Sequence, residues 1–219
     1  MASISIETLD IRGYSGEAVP NTFFRQEAPA THLGIVLPGV GYTAHMPLLY
    51  YCALVMRNRG LDVLAVEYSY ARRADFMQAA EEERARWFIA DVTAAVNAAL
   101  AQGDYQQVTL VGKSLGTLGM GYLVSTDERF NRVGAVWLTP LLTDERLYGQ
   151  ITRWGGRSLF VIGSADPHYD PHLLAEVQSV SSGEAIVVDG ADHSLEIPGD
   201  ALASLRALEL IVRELDRFL

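Results

Sequence analysis

A serine, an aspartate and a histidine each stand just beyond an apolar, strand-like run, and together they could make an activated alcohol. Ser114 sits at the apex of Gly112-Lys113-Ser114-Leu115-Gly116, after Val108-Thr109-Leu110-Val111 and before a helical stretch over 115–124. Asp166 follows Leu159-Phe160-Val161-Ile162-Gly163, and His193 follows Ala185-Ile186-Val187-Val188 within Gly190-Ala191-Asp192-His193-Ser194. A hydroxyl is a poor nucleophile at neutral pH and needs a base within hydrogen-bond reach. Imidazole suits that task because it titrates close to the operating pH. A carboxylate behind the ring fixes its tautomer and stabilises the imidazolium that forms during attack. The chemistry these three types can perform is attack of serine oxygen on an acyl carbonyl.

The glycines flanking the serine have a steric reason. A side chain at 112 or 116 would collide with neighbouring backbone while the serine holds a strained conformation. The letters Gly112-Lys113-Ser114 also end a phosphate-cradling loop, but that motif needs a glycine five residues earlier, where Gln107 stands, and a loop where a strand is read. Asp170 and Asp192 compete with Asp166 for the acid role. Asp192 is poorly placed to reach its own neighbour's ring, and Asp170 lies farther from the strand end. His168, Asp170 and His172 alternate like metal ligands, yet Pro167 and Pro171 interrupt them and no further ligand cluster accompanies them, so a solvated loop is expected. His45 either faces the site or begins a helix. Lys113 is an unusual charge beside a candidate nucleophile; buried, it needs a partner, and Glu67 is the leading one.

Elements able to position such groups alternate along the chain. Strands are predicted over 4–9, 21–25, 33–37, 62–66, 108–111, 133–138, 159–163 and 185–188, and helices over 47–58, 80–102, 115–124, 144–154, 171–180 and 201–218. A polar stretch over 71–78 reads as a link. This alternation predicts an α/β fold, a mostly parallel central sheet with helices on both faces. Sites in such sheets lie beyond the carboxyl ends of the strands, where all three residues fall. The 219 residues fit a single domain over 1–219, and only 139–143 separates strand 133–138 from its helix, which leaves no room there for a cap. A net charge of −10 argues against nucleic-acid and anionic-membrane partners. The N-terminal stretch lacks a basic flank and an apolar core, so no signal peptide is read, and a lone Cys52 gives no internal disulfide. A cytoplasmic protein, monomer or homodimer, is the expectation.

With these motifs in the order Ser, Asp, His, the chain resembles the α/β-hydrolase superfamily over roughly residues 30–219, particularly its small, lidless dienelactone-hydrolase-like and carboxylesterase-like members. The resemblance implies Ser114 as nucleophile on a nucleophile elbow, Asp166 as triad acid and His193 as base. Pro38-Gly39-Val40 matches the family's oxyanion loop, with Pro38 where many members carry histidine. The oxyanion donors are then the N–H of Leu115 and that of Val40, with Gly41 or Tyr42 as replacements for Val40. Gly41, Tyr42, Met46, Tyr68, Tyr70, Leu141 and Leu142 are the expected substrate-binding wall. The function implied is a serine esterase acting on small or short-chain acyl substrates, with no metal or organic cofactor. The alternatives are a non-hydrolytic small-molecule binding protein, or a lyase, acyltransferase or thioesterase using the same triad.

Overall fold

Runs that are apolar at nearly every position cannot face water on either side, and they become interior strands. Leu33 to Leu37, Asp62 to Val66 and Ser158 to Gly163 are buried at every position. The computed structural model describes residues 4–181 and 183–219; Met1 to Ser3 of the N-terminal stretch read above, and Ser182, lie outside the described residues. The chain divides into two compact units, Met1–Thr109 and Leu110–Leu219.

In the first unit, β1 (Ile4–Glu7) runs antiparallel to β2 (Asn21–Gln26), β2 runs antiparallel to β4 (Asp62–Val66), and β4 runs parallel to β3 (His32–Leu37). Helix α1 (Pro47–Asn58) begins with its proline in the first turn, where a missing N–H costs nothing, and packs on β3 and β4. Cys52 lies on its buried face, and burial pushes the thiol up to about 12. The link expected over 71–78 contains a short helix, α2 (Ala74–Gln78), ahead of α3 (Glu81–Leu100). The reason is Phe76, whose ring stacks on Tyr70 at 4.1 Å and meets Trp87 edge-on at 5.6 Å. One aromatic residue is enough to fold an otherwise polar segment onto the core.

Strand β5 (Gln107–Lys113) begins in the last residues of the first unit and ends in the second. There β6 (Gly134–Leu138), β7 (Ser158–Gly163) and β8 (Glu184–Val188) pair parallel in sequence order. Helix α4 (Leu115–Thr126) packs on β6 and on α5 (Glu145–Trp154), α6 (Pro171–Val180) on β8, and α7 (Ala201–Phe218) on β7. Three of these helices start on an aspartate that accepts first-turn N–H bonds: Asp144, Asp170 and Asp200. The eight strands have the order β1-β2-β4-β3-β5-β6-β7-β8. Among the described residues no helix is long and apolar enough to cross a membrane.

Two glycines set how closely the strand ends approach the loops that carry the site. A Cβ at Gly112 would lie 2.4 Å from Met120 Sδ and 2.9 Å from the Gly116 carbonyl group, so the tight strand-to-helix turn admits no side chain there. A Cβ at Gly163 would lie 2.0 Å from the backbone oxygen of Ala191, two residues before His193. Because that obstacle is backbone, it cannot swing aside. Gly163→Ala is therefore expected to destabilise the protein by about 1–3 kcal/mol, read as a lower midpoint in urea unfolding.

Candidate active site

The strand-to-helix turn after β5 holds Ser114 at φ 52° and ψ −115°, a region that residues with a side chain rarely occupy. Such a conformation costs roughly 1–3 kcal/mol and persists only where the surroundings dictate it. Here the Ser114 N–H donates to the Leu138 carbonyl at the end of β6, and its own carbonyl accepts from the Thr117 N–H and hydroxyl. Leu115 opens α4, a position whose amide has no carbonyl partner within the helix.

Seventy-nine residues later in the chain, the His193 ring meets that serine. Its Nε2 lies 2.8 Å from Ser114 Oγ, while Nδ1 lies 2.8 Å from Asp166 Oδ2. A carboxylate can only accept, so Nδ1 carries the proton and Nε2 is left to accept the serine O–H. The Asp166 side chain is fully enclosed, whereas that of His193 is 35% exposed. The other Asp166 oxygen accepts the His168 N–H at 2.8 Å. Burial alone would raise this carboxyl, but the His193 hydrogen bond, the His168 amide and the two imidazoles outweigh it and hold it below the ordinary aspartate range.

Of the three carboxylates weighed from sequence, Asp166 is the one at the ring. Asp170 caps α6 through the His172 and Leu173 amides, and Asp192 accepts the Ser194 and Glu196 amides within its own turn. His168 has a neighbour that the sequence reading missed. Its Nδ1 lies 2.7 Å from Thr143 Oγ1, and its ring centre is 5.5 Å from that of His193. Among the described residues no group of three or more His, Cys, Asp or Glu could hold a metal ion.

Several expected wall residues are placed otherwise. Tyr68 and Tyr70 are 3% and 1% exposed, and their hydroxyls donate to the Pro38 carbonyl and to Asp91. They stack on each other within the first unit's aromatic core, so neither presents a face to a ligand. Leu142 is likewise 1% exposed, while Leu141 keeps part of its surface. Tyr42 is largely covered, its hydroxyl accepting the Leu48 N–H, and Met46 stands exposed at the cap of α1. Val40 is exposed and its carbonyl accepts the Ala71 amide, and Gly41 borders open space. Glu67, the expected partner of Lys113, accepts the Thr22 hydroxyl at 2.6 Å and lies 3.3 Å from His45 Nε2. Lys113 itself donates to Thr139 Oγ1 and to the His193 carbonyl.

No family model matches the sequence, and no curated protein matches it. Solved structures do. A dienelactone-hydrolase-like promiscuous phosphotriesterase from metagenomic libraries superposes with a TM-score of 0.69 at 17% identity, over 100% of this chain and 99% of its own. A cold-adapted esterase from an Arctic intertidal metagenomic library gives a TM-score of 0.70 at 17% identity, over 98% and 93% of the two chains. A dienelactone hydrolase from Anabaena variabilis gives 0.67 at 14% identity, over 97% and 96%.

The depressed Asp166 carboxyl links the site to stability. A group whose folded pKa lies below its unfolded value contributes stability above the unfolded pKa, near 3.9 for aspartate, and loses it as pH falls through the folded one. The stability difference between the wild type and Asp166→Asn is therefore expected to be at its full size above about pH 5 and to shrink on acidification below about pH 4. Urea unfolding of both proteins across a pH series measures it.

Proposed function

We infer that this chain, which has the α/β-hydrolase fold, is a serine hydrolase that cleaves carboxylic esters of small or short-chain acids. The observation that carries this reading is a single imidazole hydrogen-bonded to serine on one side and to an enclosed carboxylate on the other. Ser114 Oγ attacks the ester carbonyl carbon as its proton passes to His193 Nε2. The negative charge that develops on the carbonyl oxygen is met by the Leu115 amide at the start of α4, and losing such a donor typically costs about 10²–10³ in turnover. Asp166 offsets the charge of the imidazolium. His193 then returns the proton to the leaving alkoxide, the carbon–oxygen bond breaks, and an acyl-serine remains. Water gives a proton to His193 as its oxygen attacks the acyl carbon, and the acid leaves as the serine regains its hydrogen.

The preference for small acyl groups follows from the short connection, 139–144, between β6 and α5, which supplies no cap over the strand ends in that unit. A fluorophosphonate probe is expected to label the wild type at Ser114. Ser114→Ala and His193→Ala should abolish labelling and lower kcat on p-nitrophenyl acetate by about 10⁶, whereas Asp166→Asn should cost about 10⁴. Turnover that is undiminished in Ser114→Ala would overturn the reading. A p-nitrophenyl series of increasing acyl length should show activity falling with chain length.

A further inference from the structure

Lys113 is the residue just before the nucleophile, it is 2% exposed, and nothing in the reaction above uses it. Its ammonium donates to Thr139 Oγ1 at 3.1 Å and to the backbone carbonyl of His193 at 2.7 Å. Burial lowers its pKa to about 8, against the fields of Asp166 and Asp192, which favour the charged form. An apolar side chain of the same length would fill this space without that desolvation penalty, so a lysine here calls for a role other than packing.

The bonds themselves indicate the role. His193 lies in the loop between β8 and α7, and the amides of Asp192, Ser194 and Leu195 are satisfied within that loop. Two further bonds, from the Ala165 N–H to the Ala191 carbonyl and from the Gly190 N–H to Ser164 Oγ, moor the loop to the end of β7, but none of these reaches the turn that carries Ser114. The Lys113 bond does reach it, joining the residue adjoining the nucleophile to the peptide group of the base, 80 positions away. Its second anchor is rigid as well. Thr139 holds φ 44°, and its N–H donates to the Val161 carbonyl at 2.7 Å, while the Ser114 N–H is bonded to the adjoining Leu138 carbonyl. One ammonium thus ties the ends of β5 and β6 to the loop that bears the imidazole.

We propose that Lys113 is a positioning residue, which clamps the His193 carbonyl so that the imidazole stays within hydrogen-bond reach of Ser114. The role rests on reading Ser114 as nucleophile and His193 as base. It acts through the peptide backbone and touches no reacting atom. A displacement of about 1 Å between reacting groups can cost a hundredfold in rate without weakening substrate binding.

Lys113→Met keeps the length of the side chain and removes its donors. In the folded variant kcat on p-nitrophenyl acetate should fall about 10- to 100-fold with KM within about twofold of wild type, and labelling of Ser114 by the fluorophosphonate should slow by the same factor. The far-downfield proton resonance of the Asp166–His193 hydrogen bond should broaden or disappear, which a merely space-filling lysine would not cause. A folded Lys113→Met whose kcat and labelling rate stay within about twofold of wild type overturns the proposal. If that variant does not fold, Thr139→Val, which removes one of the clamp's acceptors, replaces it: slower labelling at unchanged KM supports the clamp, and an unchanged rate overturns it. Should the wild type itself resist labelling, the hydrolase reading falls, while the downfield resonance still decides the clamp, its loss in Lys113→Met supporting it and its persistence overturning it.

Discussion

An imidazole has two nitrogens pointing in fixed, divergent directions, and His193 needs a partner on both at once. That requirement sets the tolerances of the second unit. The serine comes from the turn after β5, the carboxylate from the end of β7 and the ring from the loop after β8, so small errors at three places would all appear at one ring. The backbone cost of holding Ser114 at a positive φ, and the glycine contacts at 112 and 163, are intelligible as the means of bringing those ends close. A parallel sheet supplies the stiffness because every residue of β7, and nearly all of β6, is buried.

Two buried aspartates show how environment, not residue type, assigns a role. Asp91 on α3 accepts the Tyr70 hydroxyl at 2.6 Å and the Tyr14 amide at 2.8 Å, yet burial dominates and raises its carboxyl above the ordinary range. Its partners are neutral, and the result is a structural knot that ties the segment around Tyr14 to the aromatic core. Asp166 also meets an amide, but its other partner is an imidazole able to carry charge, and the balance tips the opposite way. The same side chain serves as a core hydrogen-bond acceptor in one unit and as a standing negative charge in the other.

Much of this was legible in the sequence because glycine spacing and unbroken apolar runs have few structural solutions. Helices α1, α6 and α7 begin and end where they are predicted, β4 spans its predicted residues, and the other strands differ from expectation by one or two residues at an end. Ser114, Asp166 and His193 are marked in the sequence by their position after strands, and the structure brings these three side chains together. The misreadings share a cause. Tyr68 and Tyr70 follow β4, where a side chain can face a ligand or turn back into the core, and composition does not distinguish the two. The core won because Phe76, Phe88 and Asp91, from later elements, provide partners for both rings and one hydroxyl. Lys113 stands out as a charge, whereas two of the groups it donates to are a threonine hydroxyl and a main-chain oxygen, which no pattern of charges can reveal.

The sulfur on α1 has a practical corollary. A thiol with no exposed surface and so little thiolate is unreactive toward alkylating and disulfide reagents while the fold is closed. As the sole sulfhydryl in the sequence, it gives a signal from one place. The chain thus carries its own chemical clock, in which the pace of Cys52 modification reports how often the first unit opens, without any label being installed.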